Sequence, residues 1–132
     1  QKHAQKMARE VRAPAVIFLS GDLGAGKTEW VRAFTQAYLR DKKKIVTSPT
    51  YSLVNSYQKG SRRVVHMDLY RITGSDDLES VGFWDYLKEK SILCVEWGQL
   101  VNGAQLPQGW KVFSLRIEMD LQGERVLTCQ AL

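Results

Sequence analysis

Residues 21–28 read GDLGAGKT and satisfy the pattern G-x-x-x-x-G-K-[ST]. Each residue type in that pattern has a job at an anion. The glycines let successive backbone N–H groups turn toward phosphate oxygens, the lysine reaches the terminal phosphates, and the threonine hydroxyl ligates Mg²⁺. Gly26 stands where a helix opens, so the partial positive charge of the helix N-terminus faces the same anion. Two glycines, a lysine and a hydroxyl residue fall into these places by chance in well under about 1% of chains this long. The chemistry this stretch supports is the binding of a nucleotide polyphosphate with its magnesium ion.

A phosphate loop needs acids to hold and organise the metal, and in parallel α/β sheets such acids sit where strands end. Two strand-like segments end in a carboxylate, VVHMD at 64–68 and ILCVE at 92–96. Glu96 is assigned the general-base or metal role and Asp68 the metal role, with the exchange of the two left open. The expected catalytic set is therefore Lys27, Asp68 and Glu96, and the expected metal set Thr28, Asp68 and Glu96. Thr50, in SPTY, is a candidate switch residue sensing the γ-phosphate, with a plain turn before a strand as the other reading; Pro49 stiffens its loop. His66 falls two residues before Asp68, on the same strand face, and reads as a packed or supporting histidine rather than a catalytic base. Trp97 follows the acid and either packs on the site or presents an aromatic to a partner.

These residues need elements to hold them. Ala4, Met7, Ala8 and Val11 recur at helical spacing, predicting a helix over 2–12 that Pro14 closes. Residues 15–20 form an apolar run too short for a helix and ended by glycine, as a central strand buried on both faces would be. From Lys27 to about Arg40 the positions Trp30, Val31, Phe34, Ala37 and Tyr38 repeat at three and four, an amphipathic helix leading straight out of the glycine turn. Strand-like runs at 51–57 and 63–69 flank Lys59-Gly60-Ser61 and predict an antiparallel hairpin with a turn of about three to five residues. Asp76 with Glu79 fits a helix start, and Phe83, Trp84 and Leu87 mark a second short helical stretch. A strand is expected at 92–95 and a loop at 98–110. A closing hairpin is expected at 112–119 and 125–129, about the turn from Asp120 to Glu124. The fold class is α/β, a P-loop NTPase fold whose central sheet is mostly parallel, flanked by helices and extended by antiparallel hairpins.

The 132 residues suit one domain, 1–132, burying roughly two thirds of its unfolded surface. Apolar content of 44% and charged content of 25% are those of a folded globular chain. No apolar run reaches the roughly 18 residues a membrane span needs, and the polar start QKHAQKMAREV lacks a signal-peptide core, so no membrane partner and a cytoplasmic location are expected. A chain opening on Gln1 is expected to be a trimmed form that lacks an N-terminal element. Cys94 and Cys129 have no metal-ligand or dithiol spacing and read as buried small hydrophobes. The net charge of +5 gathers at Arg40, Lys42, Lys43 and Lys44 and at Arg62 and Arg63, read as solvated loops that permit an RNA or acidic partner without requiring one.

Guanine specificity is disfavoured because neither N-K-x-D nor a D-x-x-G following the candidate metal acid occurs. Arg32 and Arg71 alone make a thin lid for a small-molecule kinase. The blocks GDLGAGKT (21–28), SPTYSLVNSY (48–57), HMDLYR (66–71) and VEW (95–97), in this order and spacing, resemble the bacterial TsaE family over about 80 residues. That resemblance implies a P-loop ATPase, with ATP and Mg²⁺ as cofactors, needed for threonylcarbamoyladenosine in tRNA. It implies action with the TsaD and TsaB proteins, driving or resetting their complex rather than making the modification. Contact with tRNA is then expected to be indirect, and DNA is not an expected partner. The resemblance also carries the roles of Lys27, Thr28, Thr50, Asp68 and the Glu96-Trp97 pair. The expected nucleotide contacts are Gly21, Asp22, Leu23, Gly24, Ala25, Gly26, Lys27, Thr28 and Glu29, with Thr50 and Trp97. Glu29 departs from the family, which commonly has a second threonine there; its charge near Mg²⁺ is expected to weaken nucleotide affinity. The family's usual N-terminal strand is absent, which is expected to lower stability or expose a pairing edge. No arginine is placed as a finger, so hydrolysis by the chain alone is expected to be slow and to be stimulated by a partner. A small-molecule kinase and a binding module without turnover stay as the alternatives.

Overall fold

The computed structural model describes residues 2–21, 26–47, 49, 54–69, 82–96 and 106–132. Asp22, Leu23, Gly24, Ala25, Thr50, Arg71, Asp76, Glu79 and Trp97 lie outside the described residues, as does most of the expected loop at 98–110.

The chain runs α1 (Lys2–Glu10), β1 (Ala15–Ser20), α2 (Lys27–Leu39), β2 (Val54–Lys59), β3 (Arg62–Asp68), α3 (Phe83–Tyr86), β4 (Ile92–Glu96), β5 (Lys111–Met119) and β6 (Arg125–Ala131). Six strands form one sheet in the order β2-β3-β4-β1-β5-β6. β3, β4, β1 and β5 run parallel, while β2 and β6 are added antiparallel at the two edges. This is the P-loop NTPase architecture with antiparallel hairpin extensions.

β1 is central because it can be buried on both sides. Ala15, Ile17 and Leu19 belong to the core cluster shared with α1 and α2, whereas Val16 packs with Val65, Met67, Leu93, Val95 and Phe83 on the opposite face. That two-sided burial is why its residues read as a continuous apolar run and not as an alternation. On the first face, Trp30, Phe34 and Tyr38 repeat every four residues along α2 and stack, with ring centroids 5.2 and 5.7 Å apart. Ala4, Met7 and Ala8 bring α1 against this row, and the Trp30 indole Nε1 donates to His3 Nδ1 at 3.1 Å.

Two details differ from the sequence expectation. The first hairpin is tighter than expected: Lys59 pairs with Arg62, so only Gly60 and Ser61 turn the chain. Gly60 supplies the left-handed φ of +61° that a two-residue turn requires. The basic clusters are also partly structural. Arg62 donates to the Tyr38 carbonyl at 2.9 Å and lies over the Tyr38 ring, and Lys59 donates to the Arg40 carbonyl at 3.2 Å. Arg63 pairs with Glu89. Cations thus meet the carbonyl groups that the end of α2 leaves without helical partners.

The expectation of two buried cysteines holds for Cys94 alone. Cys129 is exposed because β6 is an edge strand: Leu127 packs against the core, while Cys129 keeps a contact of Sγ with Met7 Sδ at 3.9 Å. Burial first, and then the Glu96 carboxylate, drives the Cys94 thiol far above its ordinary range; partial burial raises that of Cys129. A thiol reagent at mildly alkaline pH is therefore expected to label one cysteine, Cys129, in the native protein, and Cys94 only after denaturation. Peptide mapping of the labelled protein checks this, and native labelling at Cys94 would contradict the buried β4.

Candidate functional site

The site is assembled where β1, β3 and β4 end together. β1 stops at Ser20, and Gly21 turns away with φ +143°. A Cβ at Gly21 would lie 2.1 Å from the Ile117 carbonyl oxygen of β5, so only glycine lets the chain leave the sheet here. The chain re-enters regular structure at Gly26, φ +98°, which opens α2 and accepts from the Trp30 N–H at 3.0 Å. No side chain caps this helix start. A helix that opens on glycine presents its first turn at close range to an anion, a condition that suits a bound phosphate.

Lys27, the first residue of α2, is only 8% exposed despite its charge. Its ammonium donates to the Gly21 carbonyl at 2.9 Å, which ties the two ends of the glycine turn together, and stands 3.8 Å from Glu96 Oε1. Thr28, next on α2, is half-buried, and Glu29 is exposed.

The two acids come from neighbouring parallel strands. In the β3–β4 register His66 faces Cys94 and Asp68 faces Glu96, so the carboxyl-bearing residues end side by side. Val64 and Cys94 pack on the α2 side of the sheet; the period of two puts His66, Asp68 and Glu96 on that face as well. The ladder continues one step further, with the Leu69 N–H donating to the Glu96 carbonyl at 3.0 Å. Glu96 is 5% exposed, Asp68 half-buried.

The structure adds a specific contact that the sequence did not supply. His66, fully buried, places Nε2 2.6 Å from Glu96 Oε2. Glu96 is therefore held at one oxygen by an imidazole and faces an ammonium with the other. Sequence placed His66 on the face of Asp68; that it reaches Glu96 follows only from the β3–β4 register. His66 Nδ1 is buried without a hydrogen-bond partner among the described residues. A buried ammonium, carboxylate and imidazole in contact are costly to assemble. Removing one charged partner of such a buried pair typically costs about 3 to 5 kcal/mol.

The structure thus brings Lys27, Asp68 and Glu96 together at one end of the sheet, beside the start of α2 that carries Thr28. A second addition comes from β6. Arg125 Nη2 lies 2.8 Å from Glu29 Oε2, and the Arg125 guanidinium carbon lies 2.8 Å from where a Gly26 Cβ would be. No local pattern marks this arginine, because it reaches the glycine turn through the fold of the closing hairpin.

The model of the family described as "Threonylcarbamoyl adenosine biosynthesis protein TsaE" matches residues 1–127. Curated relatives with the name "tRNA threonylcarbamoyladenosine biosynthesis protein TsaE" include that of Haemophilus influenzae, 39% identical over 88 residues, covering 67% of this chain and 54% of the relative. That of Aquifex aeolicus is 38% identical over 96 residues, covering 73% and 67%. That of Bacillus subtilis is 38% identical over 93 residues, covering 70% and 56%. The chain thus spans about half to two thirds of the length of these relatives. The crystal structure of Bacillus subtilis YdiB superposes with a TM-score of 0.70 at 30% identity, covering 98% of this chain and 77% of the other.

Proposed function

This chain belongs to the TsaE family, whose members serve the biosynthesis of threonylcarbamoyladenosine in tRNA, and from that premise we propose that it is a Mg²⁺-dependent ATPase acting with TsaD and TsaB in that pathway. The single observation that carries the reading is Lys27, buried at the mouth of an uncapped helix and bridging the Gly21 carbonyl and Glu96. A buried ammonium needs anionic partners; Glu96 is one, and the glycine turn beside it suits a second. The fold and the family both favour a nucleotide as that anion.

In this reading residues 1–132 act as one ATPase domain. The N–H groups of residues 21–28 and of the first turn of α2 cradle the phosphates, and Lys27 transfers its ammonium from Glu96 to the β- and γ-phosphate oxygens. Thr28 and Asp68 hold Mg²⁺, and Glu96, which can also ligate it, is left with His66 as its partner. Bound Mg²⁺ supplies neutralisation of the charge shared by the phosphoryl oxygens. Glu96, kept in place by His66 Nε2, accepts the proton of the attacking water. Thr50 senses the γ-phosphate, Trp97 covers the site, and contact with tRNA is made through the partner proteins. Hydrolysis by the chain alone is slow, because the cation that stabilises the charge of the transferring phosphoryl group comes with a docking partner.

The test is phosphate release from ATP by the chain alone and with TsaD and TsaB, with and without Mg²⁺. Slow Mg²⁺-dependent release that rises when both partners are present is expected. Label from γ-labelled ATP appearing on an acceptor molecule would replace the proposal with a kinase. ATP binding without any release, under all conditions, would leave a nucleotide-dependent binding module.

A further inference from the structure

The glycine turn has two flanks. β1, which feeds it, lies between β4 and β5 in the sheet. On the β4 flank stand Lys27, Glu96 and, one strand further on β3, His66 and Asp68, the groups suited to the reacting end of a polyphosphate. The opposite flank is built by the β5–β6 hairpin. β5 pairs with β1 only as far as Arg116 against Ser20, then runs on to Met119. Met119 pairs with Arg125, the first residue of β6, so the hairpin overhangs the turn. Gly21 is pressed onto the backbone of β5 at Ile117, and Gly26 is pressed onto Arg125.

Among the described residues, the carboxylate of Glu29 holds Arg125 there. Glu29 takes one of its terminal nitrogens at 2.8 Å, while a third of the arginine side chain stays exposed. The guanidinium is planar and carries further N–H donors, and it stands beside the start of α2. A planar cation of this kind stacks on aromatic bases and donates to phosphate oxygens. Its place on the flank away from Glu96 and Asp68 decides which end of a nucleotide it can meet. If the γ-phosphate lies toward the acids, the α-phosphate and the nucleoside leave the turn toward β6.

We propose that Arg125, held beside Gly26 by Glu29, binds the nucleoside end of the nucleotide, its guanidinium meeting the base and the α-phosphate. Arg125 is on this account a binding residue, and Glu29 a positioning residue acting through it. The proposal deepens the reading of residues 21–28 as the nucleotide site and depends on it. It also gives Glu29 a further use: the acid, expected both among the nucleotide contacts and to weaken affinity by its charge near Mg²⁺, orients a cation on the other flank.

The experiment is titration of the intact chain with Mg-ATP and with Mg-ADP. Arg125→Ala is expected to weaken both by the same factor, about tenfold, because the contact precedes the γ-phosphate. Glu29→Ala is expected to weaken both by a smaller factor, and Arg125→Ala added to it to be no worse than Arg125→Ala alone, since Glu29 acts only through the arginine. Thermal unfolding without nucleotide should shift little for either variant, as both side chains are partly exposed and their ion pair is of the weakly stabilising kind. A loss confined to ATP would make Arg125 a γ-phosphate residue and overturn the proposal. Unchanged affinity for both nucleotides would overturn it too, as would independent, additive losses from the two substitutions in the case of Glu29. Lys27→Ala separates this outcome from failure of the site itself: if it leaves ATP and ADP binding intact, the nucleotide-site reading falls, whatever Arg125 does.

Discussion

Glu96→Gln is expected to lower the rate of phosphate release by about a hundredfold to a thousandfold, the usual contribution of a positioned general base, while ATP still binds. The substitution keeps the shape of the side chain. An amide oxygen can still accept from His66 Nε2, 2.6 Å away in the native protein, so the residue need not move. What disappears is the charge, and with it the capacity to take a proton from water. The same change releases Lys27, which loses the carboxylate 3.8 Å from its ammonium. Two opposite effects on the empty and the loaded protein follow. The empty protein keeps a buried ammonium with fewer partners and is expected to unfold at a lower temperature. Bound ATP supplies new anionic partners for that ammonium, so saturating nucleotide is expected to restore more stability to the variant than to the native chain. Single-turnover phosphate release, ATP titration and thermal unfolding with and without nucleotide measure these three quantities. If Glu96 were merely the structural anchor of Lys27, turnover would persist in the variant while stability alone fell, and that result would sink the catalytic role.

His66 gives the same site a second aspect. For the base role proposed for Glu96, the carboxylate has to be kept from collapsing onto a neighbouring cation, and Lys27 stands 3.8 Å from it. His66 holds the other oxygen from the strand next door, in a position that is fully buried. Its register partner is Cys94, a small side chain two residues before Glu96, which leaves the imidazole room to lean toward the acid. Burial, and then the Glu96 carboxylate, pushes the thiol of that cysteine far up.

How far this site could be read from the chain depends on how local its parts are. The glycine turn, Lys27 and Thr28 occupy eight consecutive positions, and the strand before them and helix after them carry their own periodicities, so pattern alone placed them. The positions of Asp68 and Glu96 at the ends of two strands were legible because each ends an apolar run. The β3–β4 adjacency that pairs them is a matter of sheet order, and sheet order is decided by packing over the whole domain. That is why His66 was placed on the correct face without its partner being known. Arg125 shows the limit more sharply. It follows a polar turn at the start of an edge strand, where a charged residue ordinarily reads as a solubilising one, and its meeting with Glu29 requires β5 to overshoot β1. Cys129 erred for a related reason: an apolar alternation announces a strand, but whether either face is covered depends on where α1 ends.

Gly21→Ala is expected to cost about 3 kcal/mol or more of folding stability and to lower the unfolding temperature by roughly 10 °C in a domain of this size. Two separate causes add at one atom. A φ of +143° is backbone that alanine adopts only under strain, and the added Cβ would lie 2.1 Å from the Ile117 oxygen. The obstacle is backbone belonging to β5, itself locked between β1 and β6, so no side-chain rotation can relieve it. Either β5 withdraws, loosening the sheet at Leu115 and Ile117, which are fully buried, or the chain leaves β1 along another path. The second route moves the Gly21 carbonyl away from Lys27 Nζ, now 2.9 Å from it, and opens the turn on which the phosphate site depends. Nucleotide binding is therefore expected to fall even in the fraction that stays folded. Gly60→Ala makes the matched control: its φ is also positive, at +61°, but nothing lies within 4 Å of its added Cβ. The control is expected to cost only about 1 kcal/mol and to bind nucleotide normally. Equal losses in the two variants, by calorimetry and ATP titration, would show that backbone strain alone and not the approach of β5 demands glycine at position 21.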